Sequence, residues 1–151
     1  MLCLVPTPIG NLEDISQRSL RILEEAELIF CEDTRVTKKL LNLLGEKQNL
    51  DFSNKEYKSF HSHNENNILQ SLTKETFTKN VVYVSDAGMP CVSDPGASLV
   101  DYCIKNDIAY DVLPGANAIL TAYAMSGFAN TTFSFYGFLD HKGVSHASKL
   151  N

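Results

Sequence analysis

Val81-Val82-Tyr83-Val84-Ser85-Asp86-Ala87-Gly88-Met89-Pro90-Cys91-Val92-Ser93-Asp94-Pro95-Gly96 decides how this chain is read, because an apolar, β-branched run breaks abruptly into a loop of small, acidic and turn-forming residues. Residues 81–84 have the pattern of a parallel strand buried on both faces, and Pro90, Pro95, Gly88 and Gly96 shape the loop that follows. Asp94 reads as a helix N-cap, Pro95 as the first helical position and residues 97–104 as a crossover helix. In open α/β sheets the ligand lies at the carboxyl ends of the strands, so this loop is a binding-site candidate. An ordinary strand-to-helix turn draws on the same Gly, Pro and Asp, and composition alone leaves both readings open.

Working outward, residues 2–5 make a first buried strand that runs into Pro6-Thr7-Pro8-Ile9-Gly10-Asn11-Leu12, where two prolines stiffen the loop and Gly10 permits close backbone approach. Residues 13–26 carry Ile15, Ile22 and Ala26 on one stripe, with Leu20 and Leu23 beside it, as in a helix packed on a sheet. A second strand, 28–31, ends in Glu32-Asp33-Thr34-Arg35, which places two carboxylates and a guanidinium at one strand terminus. A helix start explains part of this, with Thr34 capping residues 35–44 and Gly45 as the stop, but it gives no reason for adjacent Glu32 and Asp33. Residues 57–60 alternate as a half-exposed third strand and deliver His61-Ser62-His63-Asn64-Glu65. His-x-His invites zinc, but no third ligand follows at a predictable spacing, which favours a polar loop whose Asn64 caps a helix over 65–78. A fifth strand at 108–112 leads to Leu113-Pro114-Gly115-Ala116-Asn117-Ala118 and an Ala-rich helix, 116–126, apolar enough to be buried. Residues 133–138 then alternate like the opening strand of a further unit.

Five strands alternating with helices predict an α/β fold: an open, mainly parallel five-stranded sheet with helices on both faces. The division is expected to be a ligand-binding domain over 2–131, with 132–151 as a linker or first strand of a truncated second domain. The composition suits a globular core, with 151 residues, 44% hydrophobic and 21% charged. A net charge of −5 makes the domain as a whole no trap for nucleic acid, so any RNA contact must be local. Cys3, Cys31, Cys91 and Cys103 form no Cys-x-x-Cys pair and three lie in apolar runs, as expected of reduced, cytoplasmic thiols. No run approaches the roughly 18 apolar residues of a membrane span, and residues 1–5 lack a signal-peptide pattern, so no membrane contact is expected. Neither G-x-x-x-x-G-K-[ST] nor G-x-G-x-x-G occurs, so phosphate cradling is not indicated. The prolines, small residues and carboxylates better suit a ribose and a neutral or cationic cofactor.

Residues 6–12 with Asp14, Cys31-Glu32-Asp33-Thr34-Arg35, His61-Ser62-His63-Asn64-Glu65, Val84-Ser85-Asp86-Ala87-Gly88-Met89-Pro90, Ser93-Asp94-Pro95-Gly96 and Leu113-Pro114-Gly115 follow one another in an order that resembles the small-subunit ribosomal RNA 2′-O-ribose methyltransferase I family. That family belongs to the tetrapyrrole-methylase-like, class III S-adenosylmethionine (SAM) methyltransferases, and the likeness covers roughly residues 2–139. The resemblance implies an enzyme with SAM held between two domains, working as a homodimer without a metal on a cytidine 2′-hydroxyl of small ribosomal subunit RNA. Only the first domain is expected here. After Phe138, Asp140-His141 replace a proline-containing segment, which puts activity of the isolated chain in question. The alternatives within the same fold are a porphyrin or corrin C-methyltransferase and a non-catalytic SAM-binding fragment.

Carried over position by position, the resemblance places SAM against Pro8, Ile9 and Gly10, against Ser85, Asp86, Ala87 and Met89, and against Asn117 and Ala118. Methylating a ribose hydroxyl needs in-line attack and loss of a proton from a very weak acid, so positioning and a base both contribute. The candidates are Glu32, Asp33, His61 and His63, with Arg35 as a phosphate contact. Histidine has the better ordinary pKa for this task, whereas Glu32 needs burial or a like-charged neighbour, which Asp33 provides, to raise its own; Glu32 and His63 are favoured. A structural Glu32–Arg35 ion pair is the competing explanation.

Overall fold

In the computed structural model, which describes residues 1–129 and 131–138, the strands are β1 (Leu2–Leu4), β2 (Leu28–Cys31), β3 (Glu56–Ser59), β4 (Val81–Val84) and β5 (Tyr110–Val112). All pair in parallel, in the order β3-β2-β4-β1-β5, so the five-stranded parallel sheet is as expected. The helices are α1 (Gln17–Glu25), α2 (Thr34–Gln48), α3 (Glu65–Ser71), α4 (Ala97–Lys105) and α5 (Ala118–Met125). Two compact units divide the chain, Met1–Asn117 and a second that begins at Ala118.

Every residue of β1, β2 and β4 is buried, whereas β3 and β5 alternate as half-covered edges. The period-two geometry of strands sorts the central residues between two cores. Cys3, Val5, Ile29, Cys31, Val82 and Val84 pack with Leu20 and Leu23 of α1 and Leu41 and Leu44 of α2. Leu2, Leu4, Leu28, Phe30, Val81 and Tyr83 pack on the opposite face with Leu72, Phe77 and, from α4, Leu99 and Cys103. The connections after β1 and β2 thus cover one face and those after β3 and β4 the other. Because β4 lies between β2 and β1, neighbouring strands send their chains to opposite faces, which opens a crevice at their carboxyl ends.

Several boundaries differ from expectation. Residues 12–14 form a 3-10 turn, and α1 starts after Ser16, whose hydroxyl accepts from the Ser19 N–H at 3.0 Å. The cap of α2 is Asp33 rather than Thr34, and α2 passes through Gly45 to a left-handed Asn49 whose N–H returns to the Gly45 carbonyl. Gly45 is a close-approach residue there, since a Cβ would lie 2.8 Å from the Leu50 carbonyl oxygen. Gly45→Ala should therefore destabilise the fold by about 1–3 kcal/mol by overpacking, despite alanine's better helix propensity. Urea denaturation checks the sign. The expected helix over 65–78 breaks at Leu72 into α3 and a 3-10 segment, Lys74–Thr78. Helix α4 is capped by Gly96 at φ 122, so Asp94 and Pro95 belong to the loop. None of the α5 residues is buried, contrary to the expectation from its composition, and residues 133–138 form no strand. Among the described residues no helix is long and apolar enough to cross a membrane.

Candidate functional site

The loops after β1, β4 and β5 meet through backbone contacts. Thr7 and Gly88 form an antiparallel bridge, each N–H donating to the other's carbonyl at 3.0 Å. The Thr7 hydroxyl donates to the Ser85 carbonyl at 3.2 Å, and the Ser85 hydroxyl donates to the Gly88 carbonyl at 3.1 Å. A Cβ on Gly88 would stand 3.2 Å from the Ile9 side chain and 3.7 Å from the Ala116 carbonyl oxygen, while one on Gly115 would lie 2.5 Å from Pro6 Cβ. Of the expected cofactor residues, Pro8, Ile9, Gly10, Ala87 and Met89 stay exposed or half-exposed along this seam. Ser85 is buried and spends its hydroxyl on the loop, so its part is to hold the loop's shape. Asn117 closes the first unit and Ala118 opens the second.

Asp86 links this seam to the loop after β2, accepting the Asp33 N–H at 3.3 Å. That places Glu32 among carboxylates. Burial raises the Glu32 pKa above its ordinary value, Asp86 and then Asp94 raise it further, and His61 opposes them. Burial and Asp86 raise Asp94 as well. Burial and like-charged neighbours thus shift Glu32 in the direction that suits a general base, with Asp86 and Asp94 as those neighbours rather than Asp33.

Asp33 has a different task. Its carboxylate accepts from the Arg35 N–H at 2.8 Å, from Nε at 3.0 Å and from Nη2 at 2.6 Å, and these bonds hold its pKa down to about 2. The ion pair at this helix start is therefore Asp33–Arg35, not Glu32–Arg35, and Asp33 caps α2. The Arg35 side chain is 89% exposed, which leaves it open to a phosphate. The His63 N–H donates to His61 Nδ1 at 3.3 Å, the two rings meeting edge-on at 5.9 Å, and His63 is exposed. Asn64 is the N-cap residue of α3, as expected, but makes no side-chain cap bond; its side chain accepts from the His61 N–H at 2.8 Å and donates to the Ser59 carbonyl at 2.9 Å, fixing the His61 turn. Among the described residues no group of three or more His, Cys, Asp or Glu could hold a metal ion.

Sequence reasoning missed the cleft beside Glu32. It has a volume of about 560 Å³ and is lined by Glu32, Ser62, Glu65, Asp94 and Ser98, with Gly96 in its wall. The sequence pattern presents Asp94 as a cap and Tyr83 as a core residue. Tyr83 is fully buried beside Phe60, whose ring also meets Phe30, at 5.8 and 6.0 Å between centroids. The Tyr83 hydroxyl has no hydrogen-bond partner. The loop above it turns through positive φ at Gly88, Cys91, Ser93 and Gly96, two of them non-glycine residues. Such strained conformations gather at ligand sites, and only the glycines are visible as candidates in a sequence.

The model of the tetrapyrrole (corrin/porphyrin) methylases matches residues 1–146. Among curated relatives, "Ribosomal RNA small subunit methyltransferase I" of Campylobacter fetus subsp. fetus is 53% identical over 97% of this chain and 55% of its own length. The protein of the same name from Helicobacter pylori strain 26695 is 46% identical over 99% of this chain and 55% of its own. The chain thus spans about half the length of the curated relatives it matches. A solved uroporphyrin III C-methyl transferase from Thermus thermophilus superposes with a TM-score of 0.56 at 18% identity, covering 81% of this chain and 51% of that one. A structure of the T. thermophilus enzyme complexed with S-adenyl homocysteine gives a TM-score of 0.55 at 19% identity over the same shares. With the fold shared and the family model matching along nearly its whole length, the chain belongs to the tetrapyrrole (corrin/porphyrin) methylase family.

Proposed function

We propose that this chain is the cofactor-binding part of a SAM-dependent methyltransferase that methylates a cytidine 2′-hydroxyl in small ribosomal subunit RNA. The observation that carries this reading is the Asp33–Asp86 hydrogen bond, which joins a half-buried, charge-crowded Glu32 to the loop expected to hold the cofactor. Relatives named as small-subunit RNA methyltransferases, at 46% and 53% identity, favour RNA over a tetrapyrrole. Pro8, Ile9 and Gly10, the loop around Asp86 and Met89, and Asn117 with Ala118 would hold SAM; a Cβ at Gly10 would meet nothing within 4 Å, so the backbone there is open to a flat ligand. Bound SAM supplies the electrophilic methyl group. Glu32 takes the proton of the attacking hydroxyl, Asp33 orients Arg35 toward a backbone phosphate, and Asp86 keeps the two loops together.

The working enzyme is read as a cytoplasmic homodimer with a second domain beyond residue 131, which restores the rest of the cofactor's contacts. The exposed Phe133, Phe135 and Phe138 support that reading, since a cluster of exposed aromatic residues ordinarily marks an interface. Calorimetry with SAM should show Asp86→Ala weakening affinity about tenfold or more, because a charged acceptor of a half-buried N–H is lost. Unchanged affinity removes Asp86 from the cofactor site. Radiolabelled SAM offered in parallel to small ribosomal subunits and to a tetrapyrrole should label the subunits; label in the tetrapyrrole alone selects C-methylation instead.

A further inference from the structure

We propose that the cleft bounded by Glu32, Ser62, Glu65, Ser93, Asp94 and Ser98 is a subsite for an amino group of the substrate, the exocyclic amine of the target base. This deepens the RNA reading above and rests on it.

The lining decides the ligand's chemistry. Three carboxylates and three serine hydroxyls face about 560 Å³ of open space, and no lysine, arginine or histidine is among the lining residues. A phosphate would meet uncompensated negative charge there, so the RNA backbone must run elsewhere, past Arg35. An N–H donor is what such a wall accepts, and a carboxylate facing an exocyclic amine is the pairing by which Asp and Glu read cytosine. A carbonyl in the same place, as on uracil, would be repelled.

The carboxylates are prepared for such a donor. The Ser98 hydroxyl donates to Glu65 Oε2 at 2.6 Å, fixing that carboxylate across α3 and α4 before any ligand arrives. Among the described residues Asp94 forms no ion pair, and burial and Asp86 crowd it in the same direction as Glu32. An independent sign lies beneath. Tyr83 is wholly buried, its hydroxyl is unpartnered, and its ring lies under Gly96 in the cleft wall, where a Cβ would come within 2.5 Å of it. Burial and then Cys91, Glu32 and Asp94 raise the pKa of that hydroxyl, so two of the cleft's carboxylates lie within electrostatic reach of it. A buried hydroxyl without a partner is costly and rare, and a ligand that draws a carboxylate over it would satisfy both groups. Glu32 borders this cleft and is tied through Asp33 and Asp86 to the cofactor loop, so a base held at Glu65 and Asp94 would share its cleft with the group proposed to take the proton.

The ammonium of SAM offers similar donors, so the test separates the two sources. The 151-residue chain, labelled with nitrogen-15, is titrated separately with cytidine, uridine and SAM while backbone amide shifts are followed. Cytidine should move the amides of Glu65 and of residues 93–98, uridine should act there about tenfold more weakly or less, and SAM should move residues 85–89. Glu65→Gln with Asp94→Asn should erase the preference for cytidine over uridine, and Tyr83→Phe, which keeps the ring, should weaken cytidine alone. Equal shifts from both nucleosides, or none from either, overturn the proposal. So do shifts at residues 93–98 from SAM without any from cytidine, which would assign the cleft to the cofactor. SAM that moves no amide at all counts against the methyltransferase reading instead, a separate outcome.

Discussion

Gly96→Ala should cost this chain a large part of its stability, about 2–6 kcal/mol, from overpacking and backbone strain together. The site allows no easy escape. Gly96 caps α4 at φ 122, a conformation that L side chains rarely adopt, and its Cβ would lie 2.5 Å from Tyr83 Cε1 and 3.0 Å from Cys91 Sγ. The Tyr83 ring cannot retreat, because Phe60 stands edge-on to it at 5.8 Å and Phe30 backs Phe60 at 6.0 Å. Total stabilities of domains run to about 5–15 kcal/mol, so a loss of this size leaves the variant marginal or unfolded at room temperature. Urea denaturation followed by circular dichroism reads the effect. Pairing Gly96→Ala with Tyr83→Leu separates the two contributions: removing the ring should recover the clash but not the backbone strain, giving a coupling energy well above zero in a double-mutant cycle. A Gly96→Ala midpoint equal to that of the unchanged chain would show that the loop re-forms at no cost and that its geometry is not essential.

What was legible in the sequence, and what was not, follows from the range of the interactions involved. Runs such as 28–31 and 81–84 announce themselves, because burial on both faces demands continuous apolar residues. The carboxylates at strand ends were visible for the same local reason. Their grouping was not, because Glu32 and Asp94 meet only through the placement of β4 beside β2, and apolar patterning does not specify which strand lies next to which. The resemblance of the motifs to a known family supplied the cofactor and the enzyme class, which periodicity and spacing could not. Helix starts were misread where two residues compete for one role: Asp33 displaced Thr34 because its carboxylate serves both the Arg35 N–H and the Arg35 guanidinium. At α4 the Asp94-Pro95 pair has the form of a cap and first turn, yet positive φ at Cys91 and Ser93 carries the loop on to Gly96. Left-handed conformations of non-glycine residues are imposed by tertiary contacts, and no local pattern records them.

Glu32→Gln is expected to slow methyl transfer by roughly 10²-fold or more while SAM affinity stays as it was. Single-turnover transfer to small ribosomal subunits, with the chain joined to its proposed second domain, measures the rate, and calorimetry measures the affinity. The exposed His63 provides the comparison, since His63→Ala should act far less if Glu32 is the base. Stability supplies a second readout, one that a purely structural glutamate would move the other way. Burial, Asp86 and Asp94 raise the folded-state pKa of Glu32 above its unfolded value. Between those two values the folded protein binds the extra proton, so stability falls as pH rises through the folded pKa, and ionised Glu32 is a net burden at neutral pH. Glutamine keeps the shape and drops the charge, so the variant should be the more stable protein at pH 7.5. The advantage should vanish below the ordinary carboxylate value of 4.5, where Glu32 is already protonated in both states. Urea midpoints at pH 7.5 and pH 4 make the comparison. A slower yet more stable variant is the signature of a carboxylate kept in place for chemistry against its electrostatic cost. If the variant is instead less stable at pH 7.5 and transfers methyl at the unchanged rate, Glu32 is a structural residue and the proton leaves by another route.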